Sequence, residues 1–534
     1  MTPDALLQEI VTAQANRWPE APALAWRHNV LRYRDVEERS NQLARALREA
    51  GCRRGDRVCL LLPRGPEAII AKLAVLKADG VAVPLDIAGA ASRLATIVRL
   101  CEPRCVLTVS AGAGLLDQVF LSGVPGERIA IGSLGSSPIV GEQFATRFCA
   151  KDVEQMAARA LTYKNRTASP AEILFNTSSR EMPRGVVLTH ANVRRLIVWA
   201  NDYFGVMPGD RHSWHSSFSE GMSVYATLGT LAAGACIHPI PGDFGYHTVR
   251  LAEAVRDAEL TMWMVPGQAF LEASDVEGLR PGGFQHLRHV IWQGQSVSAS
   301  AVRQWMARLR HTNFTRLYGA TEASVATCYY RVSRAASSDL NLLPIGRPRS
   351  GEQAVVLDDE RRPADRSQIG EIHVGGLGLS PGYWRDPEAT ATAFVRPVDA
   401  VGLTDRVVRT GDLGRVDSDG QIYVTGRRDR RTNADAEFGE IEAALRRLGS
   451  VRAAAVVAMR GGDGGVPVVG CAYVPVPGIE VTSAELREGL AAMLPANLLP
   501  TRWQEFTELP RVADGTVDSD EIRRSLTFGV AASQ

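Results

Sequence analysis

"ILFNTSSREMPRGVVLTH", Ile173 to His190, has the outline of a phosphate-binding loop from which the glycines have been removed. An apolar strand runs into small hydroxyls, and Pro-Arg-Gly then leads toward a helix. Loops that wrap phosphate are usually glycine-rich, because backbone N–H groups must approach the anion with no Cβ in the way. Here Thr177, Ser178 and Ser179 are followed by Arg180 and Glu181, and no glycine comes before Gly185. The three hydroxyls can still bond phosphate oxygens. Arg184 brings positive charge as a planar fork, whereas lysine would bring a point charge.

The strand–loop–helix order at this loop is matched upstream. "LRYRDVEERSNQLARALREAG" has helical spacing ending at a glycine, and "DRVCLLLP" reads as a buried strand. "PEAIIAKLAVLKADGVAVPLD" repeats helix then strand, which argues for a mostly parallel sheet with helices on its faces. Residues 107–170 are Gly/Ser-rich and weakly patterned, and are expected at the periphery. "GEIHVGGLGLSPGYW" and "GQIYVTGRRD" read as short strands joined by glycine turns. After Arg428 the pattern restarts: a helix at "EFGEIEAALRRLG", strands at "VRAAAVVAM" and "GCAYVPV", and a helix at "SAELREGLAAML". The expected class is α/β, with a small α+β unit at the C-terminal end.

At 534 residues the chain is long enough for two or more domains. Its net charge of +1 gives no reason to expect nucleic acid or an anionic membrane as partner. Eight cysteines lack metal spacing, so reduced structural thiols are expected. "MTPDALLQEI" has no signal-peptide pattern, and no run approaches the ~18 apolar residues of a membrane helix, so a cytoplasmic protein is expected. Lysine occurs at 72, 77, 151 and 164 and nowhere after.

Two further stretches carry chemistry. "LYGATEAS", Leu317 to Ser324, sets an aromatic, a glycine and a hydroxyl before an acid. Mg²⁺ at triphosphates is commonly held by one or two protein carboxylates, with water and phosphate oxygens completing the octahedron. "RTGDLGRVDSDGQIYVTGRRD", Arg409 to Asp429, puts an acid in a glycine-flanked turn, where it can accept both ribose hydroxyls.

In this order and separation, with "LKADGVAVPLD", "GEIHVGGLGLSPGYWRDPEATATAF", "LPANLLP" and "LPRVADGTVD", these stretches resemble the adenylate-forming superfamily over nearly the whole chain. That superfamily includes acyl-CoA synthetases, luciferases and, nearest in look, nonribosomal peptide synthetase adenylation domains. The resemblance implies a large N-terminal domain, 1–428, of parallel-type sheets with flanking helices and a β-rich part. It implies a small C-terminal lid, 429–534, hinged at Asp429. It puts Tyr318 against adenine, Thr321 at the α-phosphate and Glu322 on Mg²⁺. Asp412 would hold the ribose with Arg427 alongside, and Gly294, Gln295, Gly319 and Ala320 would complete the ATP site. The substrate pocket would be His215, Glu220, Gly221, Met222, Tyr225, Trp263, Ile291, Gln293, Leu317 and Val325.

Four departures qualify that picture. The phosphate loop lacks its glycines and carries Glu181, which repels a triphosphate unless paired. Gly221 stands where the adenylation domains place an aspartate against the substrate ammonium. Glu220 is one residue off, which in extended chain points to the other face. A buried ammonium without a counter-ion is costly, so an ordinary α-amino acid is not expected. Two aromatics and little charge suit an aromatic or otherwise apolar acid, or simply fill the space. Thr516 replaces the closing lysine, at an expected cost of order 10²–10³ in rate. The hinge segment "GRRDRRTNADAEFGEIE" is about three residues short of the family's pattern, which argues against efficient thioester formation. No carrier-protein motif follows, so a carrier protein is not expected as partner.

Two readings of function stay open. One is a stand-alone enzyme that cleaves ATP to AMP and pyrophosphate to activate a non-α-amino, aromatic substrate. Its variant is an ATP-dependent diazotase that activates nitrite for attack by an aryl amine. The other is a catalytically silent homologue that acts by binding.

Overall fold

Helical spacing in residues 33–49 becomes the helix Tyr33–Glu49, whose Val36, Leu43, Ala44 and Leu47 are buried on one face. Asp35 accepts from the Arg32 backbone N–H at 2.8 Å and closes its first turn. Gly51, at φ +88°, reverses the chain in the left-handed region that favours glycine. The strand Arg57–Leu61, the helix Pro66–Lys77 and the strand Val81–Leu85 then follow as the sequence predicts. The computed structural model describes residues 5–135, 146–175, 182–241, 248–266, 283–294, 297, 299–333, 343–366, 368–398, 406–427, 441–442, 444–459, 468–491, 499–512 and 517–528.

Among these residues the strands form four sheets. A seven-stranded sheet contains Arg57–Leu61, Val81–Leu85 and Pro170–Phe175, and is parallel until its last pair. Strands covered on both faces read as unbroken apolar runs, which is why "VCLL" and "VAVPL" show no alternation. A nine-stranded sheet has a parallel centre, with Arg211–Trp214, Met262–Pro266, His289–Gln293 and Asn313–Tyr318 adjacent in that order. One of its faces (Met262, Met264, Ile291, Leu317) joins a hydrophobic core with Leu73, Leu196 and Tyr225. The β-rich part is a five-stranded sheet built on Glu352–Leu357, Gly370–Gly376 and Val407–Val416.

The expectation that 107–170 is peripheral needs correction. Cys105–Thr108 and Ala130–Ser133 are fully buried strands of the seven-stranded sheet. Glycine and serine hid the second of them, Ala-Ile-Gly-Ser; Gly132 lies where a Cβ would meet Leu107 and Phe148 at 2.5 Å.

Contacts divide the chain into two units, one of residues 1–338, 345–355 and 373–408, the other of 339–344, 356–372 and 409–534. The second contains a sheet of Val451–Met459, Val468–Pro475 and Arg502–Glu505 with the helices Ser483–Ala491 and Ser519–Phe528. One core of this unit holds Leu445, Cys471, Leu486 and Leu490; a second holds Val457, Val474, Ile522 and Leu526. All eight cysteines are buried and free. No helix among the described residues is long and apolar enough to cross a membrane.

Candidate active site

The opening loop connects two antiparallel strands, Pro170–Phe175 and Gly185–Thr189. Pro183-Arg184-Gly185 therefore enters a strand, and the helix begins only at His190, capped by the Thr189 hydroxyl on the Asn192 N–H at 3.1 Å. Gly185 has a packing reason. A Cβ there would meet Ile173 and Phe175 at 2.7 Å, so the glycine serves cross-strand packing. Thr177, Ser178 and Ser179, with Gln295, Asp429 and Thr516, lie outside the described residues.

Leu317 and Tyr318 end a central strand, Gly319 and Ala320 leave it, and Thr321–Ala323 form one 3₁₀ turn. A Cβ on Gly319 would meet the Thr327 backbone N at 2.5 Å, so only glycine lets the loop fold back this closely. Ser324 (φ 56°) and Val325 (φ 72°) are both left-handed. For a β-branched residue that costs of order 1–3 kcal/mol and persists only where the surroundings over-determine it. They do so here. The Val325 N–H donates to Ala320 O at 3.0 Å, and the Ser324 hydroxyl donates to Gly378 O. The Gln293 amide donates to Val325 O at 2.5 Å and to Gly319 O at 3.2 Å. Arg349 Nε donates to Ala326 O at 2.5 Å, and its guanidinium pairs with Glu352 at 3.3 Å, both side chains fully buried.

This loop presents Glu322 half-buried. Its carbonyl accepts from the Ser380 N–H at 2.7 Å, and its Oε1 accepts from the Tyr383 hydroxyl at 2.8 Å. Burial, then the Glu322 carboxylate, raises the Tyr383 phenol well above its ordinary value, so it stays a donor. The Arg184 guanidinium lies 5.9 Å from the Tyr383 ring centroid. No group of three or more His, Cys, Asp or Glu among the described residues could hold a metal alone. A single carboxylate suits Mg²⁺ that takes its other ligands from water and phosphate. Gly294, at φ +93° with open space where a Cβ would stand, offers bare backbone directly after Gln293. In the second unit Asp412 lies opposite Arg427 in a hairpin, and the two pair at 3.1 Å.

The pocket side is packed differently. Glu220 is exposed while the next residue, Gly221, points inward: a Cβ there would sit 2.8 Å from Val325 Cγ2. The strained valine thus occupies the volume of any side chain at 221. Tyr225 is 2 % exposed and opens a π-helical turn; its hydroxyl meets Asn201 Oδ1 at 3.2 Å. His215 is buried, and its carbonyl accepts from Arg64; Met222 is half-buried. Register places Met264 beside Ile291, and Trp263 beside Val290. Neighbours in register share a face, so Trp263 lies across the sheet from Ile291 and Leu317. It packs on Trp305 with centroids 5.1 Å apart. Trp263 thus sits on the other face from the Ile291 and Leu317 it was expected to join, and Met264 shares theirs. A one-residue offset in a strand moves a side chain to the other face, and the alternation of 262–266 is hidden because both faces are apolar.

The family model for AMP-binding enzymes matches residues 11–384. The chain is 30% identical to the L-proline--[L-prolyl-carrier protein] ligase of Streptomyces coelicolor, over 91% of each chain. It is 29% identical to malpinin synthetase of Mortierella alpina over 97% of its own length but only 6% of that protein's. In fold it resembles the anthranilate CoA ligase AuaEII in complex with anthranoyl-AMP, with a TM-score of 0.84 at 17% identity and 99% of each chain covered.

Proposed function

The chain belongs to the AMP-binding enzyme family, and from that premise we infer that it cleaves ATP to AMP and pyrophosphate to activate an acid that carries no α-ammonium group. The observation that carries this reading is the contact of Val325 with Gly221, which leaves no room at 221 for a carboxylate counter-ion. An amino acid would then bury its charge unpaired. The rest of the lining (Met264, Ile291, Leu317) is apolar and suits an aromatic or otherwise apolar acid.

In this reading Glu322 would hold Mg²⁺, and the ion would supply positive charge to the phosphate oxygens. Tyr318, Gly294 and Gly319 face the nucleoside; Thr321, Arg184 and the hydroxyls of 177–179 contact phosphate; Asp412 and Arg427 take the ribose. The functional boundary is kept at 428/429, with Asp429 as hinge. The short hinge sequence and Thr516 favour an acceptor other than a thiol, and a stand-alone role without a carrier protein.

A second reading has one observation in its favour. Tyr225, Ile291, Leu317 and Val325 are nearly fully buried, as in a pocket that has been filled. Such a protein would bind nucleotide and activate nothing. Pyrophosphate release with ATP against a panel of aryl acids, amino acids, and nitrite plus aryl amines separates the two. Release with an aryl acid supports the first reading. Nucleotide binding without release from any member of the panel supports the second.

A further inference from the structure

Tyr383 belongs to no part of the nucleotide or substrate site as the sequence defines it, yet it touches the residue on which that site turns. Its hydroxyl donates to Glu322 Oε1 at 2.8 Å across 61 positions of sequence. Among the described residues, no other hydrogen bond reaches that carboxylate. Tyr383 is itself held in place. Gly382, at φ +141°, leaves no space for a side chain against Thr390, whose hydroxyl accepts from the Tyr383 N–H at 2.9 Å. The ring packs edge-on against Phe394, with centroids 5.9 Å apart.

The same short segment grips the strand that leaves the phosphate loop. Val187 N–H donates to Gly382 O at 3.1 Å, Trp384 N–H to Gly185 O at 2.7 Å, and the Ser380 hydroxyl to Val187 O at 2.7 Å. Ser380 N–H also holds the Glu322 carbonyl. Main chain and side chain of Glu322 are thus both fixed by residues 380–383, and those residues are fixed to the strand after Arg184.

We propose that Tyr383 is a positioning residue that orients the Glu322 carboxylate for the cation accompanying ATP and sets its distance from the phosphate-loop strand. This rests on the enzyme reading above. Partners that orient a ligating carboxylate typically contribute 10–100-fold to metal affinity. The hydroxyl occupies one oxygen and leaves the other to face the cation.

The test is Mn²⁺ binding in the presence of the ATP analogue AMP-CPP, read by electron paramagnetic resonance of free Mn²⁺ on the full chain. Tyr383→Phe keeps the ring packing and should weaken Mn²⁺ binding about 10–100-fold, with AMP-CPP binding in EDTA and the melting temperature unchanged. Glu322→Gln should weaken it further, and the double variant should lose no more than Glu322→Gln alone, since Tyr383 acts through Glu322. Wild-type Mn²⁺ affinity in Tyr383→Phe, or additive losses in the double variant, would overturn the proposal. Should Tyr383→Phe not fold, Glu322→Asp draws the carboxylate out of the hydroxyl's reach, and undiminished Mn²⁺ affinity there overturns it equally. A wild-type protein that binds no AMP-CPP at millimolar concentration would instead remove the enzyme reading beneath it.

Discussion

The loop from Tyr318 to Thr327 and the lining from Gly221 to Tyr225 meet where Val325 packs over Gly221, but they are built on opposite principles. The loop carries strain at Ser324 and Val325, and hydrogen bonds from Gln293, Ser324, Ser380 and Arg349 hold it in place. That arrangement presents one acid, Glu322, which among the described residues carries a single hydroxyl on its carboxylate. The lining is unstrained and packed: Tyr225 is tied to Asn201, and Ile291 and Leu317 are sealed in the core. Strain held by redundant bonds marks a site where orientation matters; a filled core marks one where shape does. Under the proposed function, the side that keeps its chemistry is the nucleotide's, and the acid side exchanges charge recognition for volume.

If that contrast is right, Glu322→Gln should have the largest effect. Pyrophosphate release with Mg²⁺ should fall by order 10²–10³, as for other groups that stabilise transition-state charge. Unchanged turnover would erase the distinction between the two sides.

Next comes Gly221→Asp, which places new atoms against Val325 and should cost about 1–3 kcal/mol of stability by overpacking, read as a lower melting temperature. Gly221→Asp with Val325→Gly removes both the clash and the strained side chain, and should restore stability. The double variant should also release pyrophosphate with an amino acid that the parent ignores. A Gly221→Asp variant as stable as the parent would show that the position is open.

A finer test contrasts neighbours in one strand. Met264→Ala should raise KM for the acid several-fold, whereas Trp263→Phe should lower the melting temperature and leave KM alone. The reverse pattern would return Trp263 to the pocket. Smallest of all, Tyr225→Phe deletes one buried hydrogen bond and should cost about 1 kcal/mol without altering the choice of acid.

The sequence carried the α/β class and the order of motifs well, because apolar runs and glycine turns are local signals. It also made Gly221 legible as a residue with no side chain to serve as the proposed counter-ion. What closes that gap was not legible. Val325 reaches Gly221 only because two consecutive residues adopt left-handed backbone, and no residue preference announces that for valine. Strand register was a second blind spot: at 262–266 both faces are apolar, so alternation could not tell Trp263 from Met264. Tyr383 stood in a recognised stretch without a role, because its partner is 61 positions away. Nor did weak patterning identify the buried strand Ala130–Ser133, whose small residues are a packing need.

The most direct measurement is ATP–pyrophosphate exchange with matched pairs of acids that share one carbon skeleton and differ only in the α-amino group. Exchange with the amino-free member and none with its amino acid partner is the result expected of an intact nucleotide side beside a closed ammonium site. Exchange that is as fast or faster with the amino acid, or absent with every pair, would contradict it.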